Sequence, residues 1–376
     1  MRLAMVAGEA SGDLLAGLLL GGLRTRWPDL QSAGIGGPRM AQQGFEAWWP
    51  HEKLAVRGYV EVLRHYREIS GIRNDLAQRL LNERPTAFIG VDAPDFNLGL
   101  EARLKAAGVK TIHFICPSIW AWRGGRARKM ADSCDHVLCL FPFEPDLLRA
   151  HGVDASFVGH PLADAIPLTP PKQASREALG LRSDDAVVAV MPGSRRSEIQ
   201  HIAPRFLQAA ALLHRQRADL RFVLPVVPGL RALIEPMLAE NAPGVPIQLL
   251  DGQSHAALAA CDVTMIASGT ATLEAALFKR PMVIGYHMNA ISWQIMKRMR
   301  YQPWVGLPNI LCRDFVVPEL IQEACTPEAL SAATLAWLDD AARLDGLSHR
   351  FTDLHHTLRR DTARCATDAV AQVLHA

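Results

Sequence analysis

The stretch RLAMVAGEASGDLLAGLLLGGLRTR, residues 2–26, decides the fold class. Leu3 to Ala7 is a short unbroken apolar run, the pattern of a strand buried on both faces. It ends on GEASGD at 8–13 and gives way, from Asp13 to Arg26, to apolar residues at helical spacing. Strand, glycine-bearing turn and helix in that order are the beginning of a βα unit, and repeated units of that kind feed a parallel sheet. The same grammar recurs at 86–91, 109–114, 136–141 and 155–158 for strands and at 96–107 for a helix. Prolines at 161, 167, 170 and 171 then crowd a segment without periodicity, which marks 164–172 as a linker.

Beyond the linker the pattern restarts, with strands expected at 186–191, 220–225, 247–250, 263–266 and 281–285 and a helix at 198–217. The last stretch, 327–376, lacks strand signals and reads as two or three helices able to pack back on the first domain. The expected class is therefore α/β, two doubly wound Rossmann-like domains facing a cleft, at 1–165 and 173–340, followed by helices at 341–376. In such a chain, function lies on the loops after the strands.

Composition narrows the classes further. The 376 residues are 49% hydrophobic and 21% charged, which excludes disorder for the bulk of the chain. Lys plus Arg number 40 against 38 for Asp plus Glu, so a net charge of +2 gives no electrostatic reason to expect nucleic acid as a partner. The longest apolar run, Leu14 to Leu23, is far short of the roughly 20 residues a bilayer-spanning helix needs. Glu9 and Asp13 interrupt the apolar N-terminus, so no signal peptide is expected and the reading is cytoplasmic. Seven scattered cysteines without a C-x-x-C pair point to reduced packing residues, not a disulfide framework or zinc site.

The loops after the strands carry the candidate chemistry. GEASGD opens a helix, so its glycines permit close backbone approach and the helix start offers free N–H donors. It is not the G-x-G-x-x-G fingerprint, GIGGPR at 34–39 breaks that pattern too, and no Walker A lysine pattern occurs. Hydride transfer and P-loop phosphotransfer thereby lose their main sequence support. Ser11 and Asp13 read equally well as helix caps. VDAPDFN at 91–97 ends a strongly apolar strand and puts Asp92 and Asp95 on the cleft side, where a rigidly held carboxylate meets a substrate hydroxyl. The alternative is an Asp92 bonded to the following turn, with Asp95 capping the next helix.

In the second half, MPGSRRSEI at 191–199 sets Gly193 and Ser194 at a turn and Arg195 and Arg196 at a helix start. Two arginines there oppose the helix dipole, which suggests a compensating anion; a solvated arginine pair is the alternative. ASGTATLEAAL at 267–277 repeats strand, turn and helix. Its small and hydroxylated residues suit a diphosphate, and a carboxylate one turn into the helix, Glu274, is placed to accept both hydroxyls of a ribose. No D-x-D occurs to hold Mg²⁺ against a diphosphate, and His113, His160 and His355–His356 lack ligand spacing, so neither metal nor cofactor is expected.

GEASGD (8–13), GGPRM (36–40), DAPDFN (92–97), PSIWAWR (117–123), PGSRRSEI (192–199), SGTATLE (268–274) and GLPNIL (306–311) together resemble bacterial lipid-A-disaccharide synthases, in the same order and over nearly the whole chain. The resemblance implies an inverting glycosyltransferase of the GT-B fold. UDP-2,3-diacylglucosamine would give its sugar to the 6-hydroxyl of 2,3-diacylglucosamine 1-phosphate, yielding a β-1,6-linked disaccharide phosphate and UDP. It implies Asp92 as general base and puts Arg195, Ser268, Gly269, Thr270, Ala271, Thr272, Glu274 and Asn309 in donor-binding positions. Gly193, Ser194, Glu9 and Ser11 complete the expected substrate-binding set. The runner-up is another GT-B enzyme acting on UDP-N-acetylglucosamine, a murein glycosyltransferase or a 2-epimerase; a non-catalytic lipid or nucleotide sensor is the rival from another class.

Acylated substrates imply a partner membrane, the inner-membrane surface on its cytoplasmic side. The stretch 59–80 offers Tyr59, Val62, Leu63, Tyr66, Ile69, Ile72, Leu76 and Leu80, flanked by Arg57, Arg64, Arg67, Arg73 and Arg79, a basic amphipathic pattern that suits a bilayer interface or, equally, the protein's own core. A second candidate is 293–304, where Trp, Met and Ile alternate with Lys297, Arg298 and Arg300. The helical tail leaves self-association into a homo-oligomer open.

Overall fold

In the computed structural model, which describes residues 1–54, 59–120, 125–299 and 301–375, the apolar run at the N-terminus becomes β1 (Arg2–Ala7). It lies inside a seven-stranded sheet with β2 (Gln31–Gly36), β3 (Glu46–Pro50), β4 (Ala87–Val91), β5 (Lys110–Phe114), β6 (His136–Cys139) and β7 (Asp154–Phe157). The order is β3-β2-β1-β4-β5-β6-β7 and every pairing is parallel. A second sheet holds β8 (Val187–Met191), β9 (Arg221–Val226), β10 (Ile247–Asp251), β11 (Val263–Ala267), β12 (Met282–Tyr286) and β13 (Glu319–Ile321). Its order, β10-β9-β8-β11-β12-β13, is again parallel throughout. Each sheet belongs to one of two compact units, Met1–Asp164 with Thr357–Ala376, and Ala165–His356.

Both strand orders reverse once, between β1 and β4 in the first unit and between β8 and β11 in the second. At such a switch point the following helices leave to opposite faces and the loops diverge, which opens a crevice at the carboxyl ends of the strands. The four loops singled out by sequence are the four that follow these strands: GEASGD, DAPDFN, PGSRRSEI and SGTATLE.

Alternation along β1 builds two core layers. Leu3, Met5 and Ala7 pack with Leu19, Leu20 and Leu23 of the first helix (Ala10–Arg26) and with Val370 of the last helix (Thr362–His375). Ala4 and Val6 face the other way, onto Leu76 and Leu80 of the helix Tyr59–Glu83 and Leu100 and Leu104 of the helix Pro94–Ala106. This corrects part of the membrane expectation: Ile72, Leu76 and Leu80 are core residues and Ile69 packs against them. Arg57 and the side chains of Tyr59, Val62, Leu63 and Tyr66 lie outside the described residues.

Strands β2, β3 and β13 carry no sequence signal. β2 reads QSAGIG, too small and polar to register as an apolar run; β3 is a half-exposed edge strand; β13 has three residues, none fully buried. The C-terminal stretch forms three helices, Pro327–Leu338, Ala341–Leu358 and Thr362–His375. The boundary between the units falls within the middle one, so the expected tail at 341–376 is divided between them.

Within the first unit the last helix is fastened by Asp164. Its carboxylate accepts from the N–H of Asp361 (3.0 Å), the N–H of Thr362 (2.7 Å) and the Thr362 hydroxyl (2.6 Å). The two N–H groups are orphan donors of a helix start, and losing such a cap costs about 1–2 kcal/mol. Asp164→Ala should lower the urea midpoint of unfolding by a corresponding amount; an unchanged midpoint would mean that water replaces the cap without loss.

Candidate active site

In the first unit, the site is built on a left-handed turn. Asp92 and Ala93 both have positive φ, 52° and 43°, a conformation costing non-glycine residues roughly 1–2 kcal/mol each. The turn is held by the Asp92 N–H on the Phe114 carbonyl (2.9 Å) and by the Asn97 amide, which donates to the Asp92 carbonyl (2.8 Å). Burial keeps the Asp92 carboxyl above the usual carboxylate range; the Ala93 N–H and the charge of His113 oppose it, and Glu9 reinforces it. A partly buried carboxylate raised in this way is a better proton acceptor than a free one.

The neighbouring loop places Glu9 half-buried at the N-cap of the first helix and Ser11 exposed in its first turn. Asp13 is a cap, but not of its own helix. Its buried carboxylate accepts from the N–H groups of Gly37 (2.9 Å), Arg39 (2.9 Å) and Met40 (3.1 Å), tying GEASGD to GGPRM. Asp95 does not cap the helix that begins at Pro94; it is exposed and pairs with Arg126 at 2.6 Å. Of PSIWAWR, Trp120 donates to the buried carboxylate of Glu144 (3.0 Å), while Ala121, Trp122 and Arg123 lie outside the described residues.

In the second unit, the loops after β8 and β11 line a cavity of about 440 Å³. Gly193, Ser194, Arg195, Ser268, Gly269, Thr270, Ala271 and Glu274 all border it, as do Glu198, Ser254 and Val226–Pro228, which sequence reasoning did not assign. Gly193 has φ 117°, and a Cβ there would lie 2.8 Å from the Cβ of Glu198, so the turn admits only glycine. Glu198 changes the expected anion site: its Oε2 accepts from the N–H of Ser194 (3.1 Å) and of Arg195 (3.3 Å), and its Oε1 meets the Arg195 guanidinium at 3.2 Å. The backbone donors assigned to an anion are thus taken by the protein's own carboxylate. The helix Thr270–Leu277 begins instead with no side-chain cap, and its first residues border the cavity together with Ser268 and Gly269.

Glu274 is held by His255, Nε2 to Oε2 at 3.2 Å, and this contact keeps the imidazole above its usual range against the effect of burial. Two expected donor residues do not line the cavity. Thr272 is buried, donating to the Gly269 carbonyl (2.7 Å) and accepting from the Leu307 N–H (3.3 Å). Asn309 is fully buried and spends its amide on the Val317 carbonyl (2.9 Å), the Val317 N–H (3.0 Å) and Glu319 (2.8 Å). Glu319 in turn accepts from the N–H groups of Val305 and Gly306, and Ser268 donates to the Val305 carbonyl at 3.2 Å. These residues fix the 305–309 loop beside the cavity. Glu319 lies on the weak strand β13, where no sequence signal marked it.

Comparison with known proteins follows the same lines. The family model described as lipid-A-disaccharide synthetase matches residues 3–372. A lipid-A-disaccharide synthase of Albidiferax ferrireducens is 59% identical, covering 100% of this chain and 97% of its own, and one of Burkholderia pseudomallei is 54% identical with the same coverage. Among solved structures, UDP-GlcNAc 2-epimerase from Neisseria meningitidis bound to UDP-GlcNAc aligns over 100% of both chains at a TM-score of 0.65 and 11% identity. Acinetobacter baumannii MurG aligns over 100% of this chain and 99% of its own at 0.59 and 14% identity. At such identities these two share the fold alone.

Proposed function

The chain belongs to the lipid-A-disaccharide synthetase family and is a hexosyltransferase of lipid A biosynthesis, and from that premise we propose how its two units divide the reaction. The first unit holds the acceptor, 2,3-diacylglucosamine 1-phosphate, with Asp92 as general base and Glu9 and Ser11 on the adjoining loop. The second holds UDP-2,3-diacylglucosamine, with Arg195 at the departing diphosphate, the 268–271 turn around it and Glu274 on the ribose.

The observation that carries this reading is the placement of both loop pairs at the switch points of their sheets, with a raised carboxylate on one and an uncapped helix start beside a guanidinium on the other. The acceptor 6-hydroxyl forms the new bond to C1 of the donor sugar as its proton passes to Asp92. The C1–O bond to the diphosphate breaks with its electron pair, and UDP leaves carrying that charge against Arg195 and the helix dipole. Attack opposite the leaving group inverts the anomeric centre, giving the β-1,6 linkage. For UDP to enter, Glu198 must yield the Ser194 and Arg195 donors or remain as the wall that directs the diphosphate to 268–271. Purified protein with both acylated substrates in detergent and EDTA should release UDP and disaccharide in equal amounts. UDP without disaccharide, or no reaction, would defeat the assignment.

For the membrane, we propose the second of the two candidate surfaces. Among the described residues no helix is long and apolar enough to cross a bilayer. Tyr301 and Phe315 are 68% and 58% exposed, the rings of Trp304 and Phe315 lie 6.2 Å apart at a tilt of 59°, and Lys297 and Arg298 are exposed close by in sequence. Aromatic rings beside cations fit an anionic lipid interface. Tyr301→Asp with Phe315→Asp should reduce sedimentation with phosphatidylglycerol vesicles about tenfold; unchanged binding would remove this surface.

A further inference from the structure

Behind the Asp92 turn lies a buried polar group that the reaction as described does not use. His113 on β5 pairs in register with Gly90 on β4, and the helix Pro94–Ala106 covers both. A side chain at position 90 would overlap the Glu101 carboxylate and lie 3.0 Å from the Asn97 Cβ, so glycine there makes room for Asn97 and Glu101 to close over His113. Glu101 Oε1 meets His113 Nδ1 at 2.7 Å, and both side chains are 0% exposed. Three polar atoms of this cluster, Glu101 Oε2, His113 Nε2 and Asn97 Oδ1, have no hydrogen-bond partner among the described residues. A buried pair so incompletely satisfied is a poor device for stability, since desolvation offsets its attraction. Its place in the fold suggests another role, because Asn97 also fastens the Asp92 carbonyl, and Asp92 itself is bonded to the strand that bears His113.

We propose that Glu101 and His113 are a positioning pair for Asp92, in which the Glu101 carboxylate maintains a buried imidazolium whose positive charge supports the Asp92 carboxylate from behind. The proposal rests on Asp92 being the general base. The Glu101 carboxylate meets the imidazole directly at 2.7 Å, and Asp92 follows β4, the strand paired in register with the one that bears His113. The His113 charge pulls down both the Glu101 and the Asp92 carboxyls against the upward effect of burial. Among the described residues, Glu9 acts on Asp92 from the first loop, and the Cys134 thiol near Glu101 is pushed up by burial and then by the Glu101 charge, with Lys105 opposing and Asp135 adding to it, so that it stays neutral.

The test is the pH dependence of kcat/KM for Glu101→Gln and His113→Gln, with Asp92→Asn measured alongside. Without the imidazolium, Asp92 protonates more readily. The acid limb should therefore move to higher pH by about one unit, with activity recovering toward the parent value above it and the donor KM unchanged. A loss that is uniform across pH overturns the proposal and leaves the pair a packing element. Because either variant could fail to fold, the unaltered protein labelled with ¹⁵N-histidine supplies a second reading. A fully buried imidazole that stays doubly protonated from pH 6 to 8 supports the pair, and a neutral His113 over that range overturns it. If Asp92→Asn retains turnover, the base assignment falls instead, and the two failures are distinguishable.

Discussion

Asp92→Asn will abolish most of the turnover while leaving the fold intact, with kcat/KM falling on the order of 10²- to 10⁴-fold, the range a positioned general base supplies. The substitution keeps the size of the side chain and removes its capacity to accept a proton. Stability should change little, because the hydrogen bonds that hold the turn run through backbone groups, the Asp92 N–H to Phe114 and the Asp92 carbonyl to Asn97. Burial already disfavours the Asp92 carboxylate, so replacing it by a neutral amide of the same size removes a desolvated charge. The unaltered enzyme should lose activity as pH falls through the raised ionisation of Asp92, and the variant's residual activity should lack that limb. The measurement is kcat/KM across pH with both acylated substrates, with circular dichroism as the control. A folded variant with near-parental turnover would remove Asp92 from the chemistry.

The legible part of this fold was what period and punctuation record. Apolar runs such as 86–91 and 263–266 are strands buried on both faces, and the turns that end them bear the residues proposed for the site. What stayed hidden lacked a hydrophobic signature. β2 is built from Ser, Ala and Gly, and β13 is too short and too exposed to stand out. In the site, residue type and spacing marked Asp92, Gly193 to Arg195 and Ser268 to Glu274, yet could not say which polar groups are already satisfied. Asn309 and Thr272 have the chemistry of ligand contacts, but the 305–309 loop consumes it. Glu198 is legible as a letter in SRRSEI, but nothing in the spacing says that it occupies the donors of its own helix start. His113 looked isolated because its partner, Glu101, is twelve residues away on another element.

Arg195→Ala should lower kcat/KM on the order of 10²- to 10³-fold, the loss that follows removal of one strong donor to a developing negative charge. Arg195 suits a clean test because its side chain is 64% exposed and its ion-pair partner, Glu198, retains the Ser194 and Arg195 N–H groups after truncation. An exposed ion pair of this kind contributes little to stability, so a large kinetic loss would not be a folding defect. Arg195→Lys should recover only part of the activity, since an ammonium restores the charge but not the fork that meets two phosphate oxygens. If the guanidinium acts mainly as charge builds on the departing UDP, kcat falls more than the donor KM rises; equal binding in ground and transition states would show as a KM change alone. Glu198→Gln separates the two functions of this corner. It weakens the hold on Arg195 while keeping the size of the side chain, and should leave the guanidinium freer to meet the diphosphate. A Glu198→Gln enzyme that binds donor no less tightly, beside an Arg195→Ala enzyme that barely turns over, would locate leaving-group stabilisation in Arg195. Near-parental kcat/KM in a folded Arg195→Ala would transfer that role to the N–H groups of 269–271.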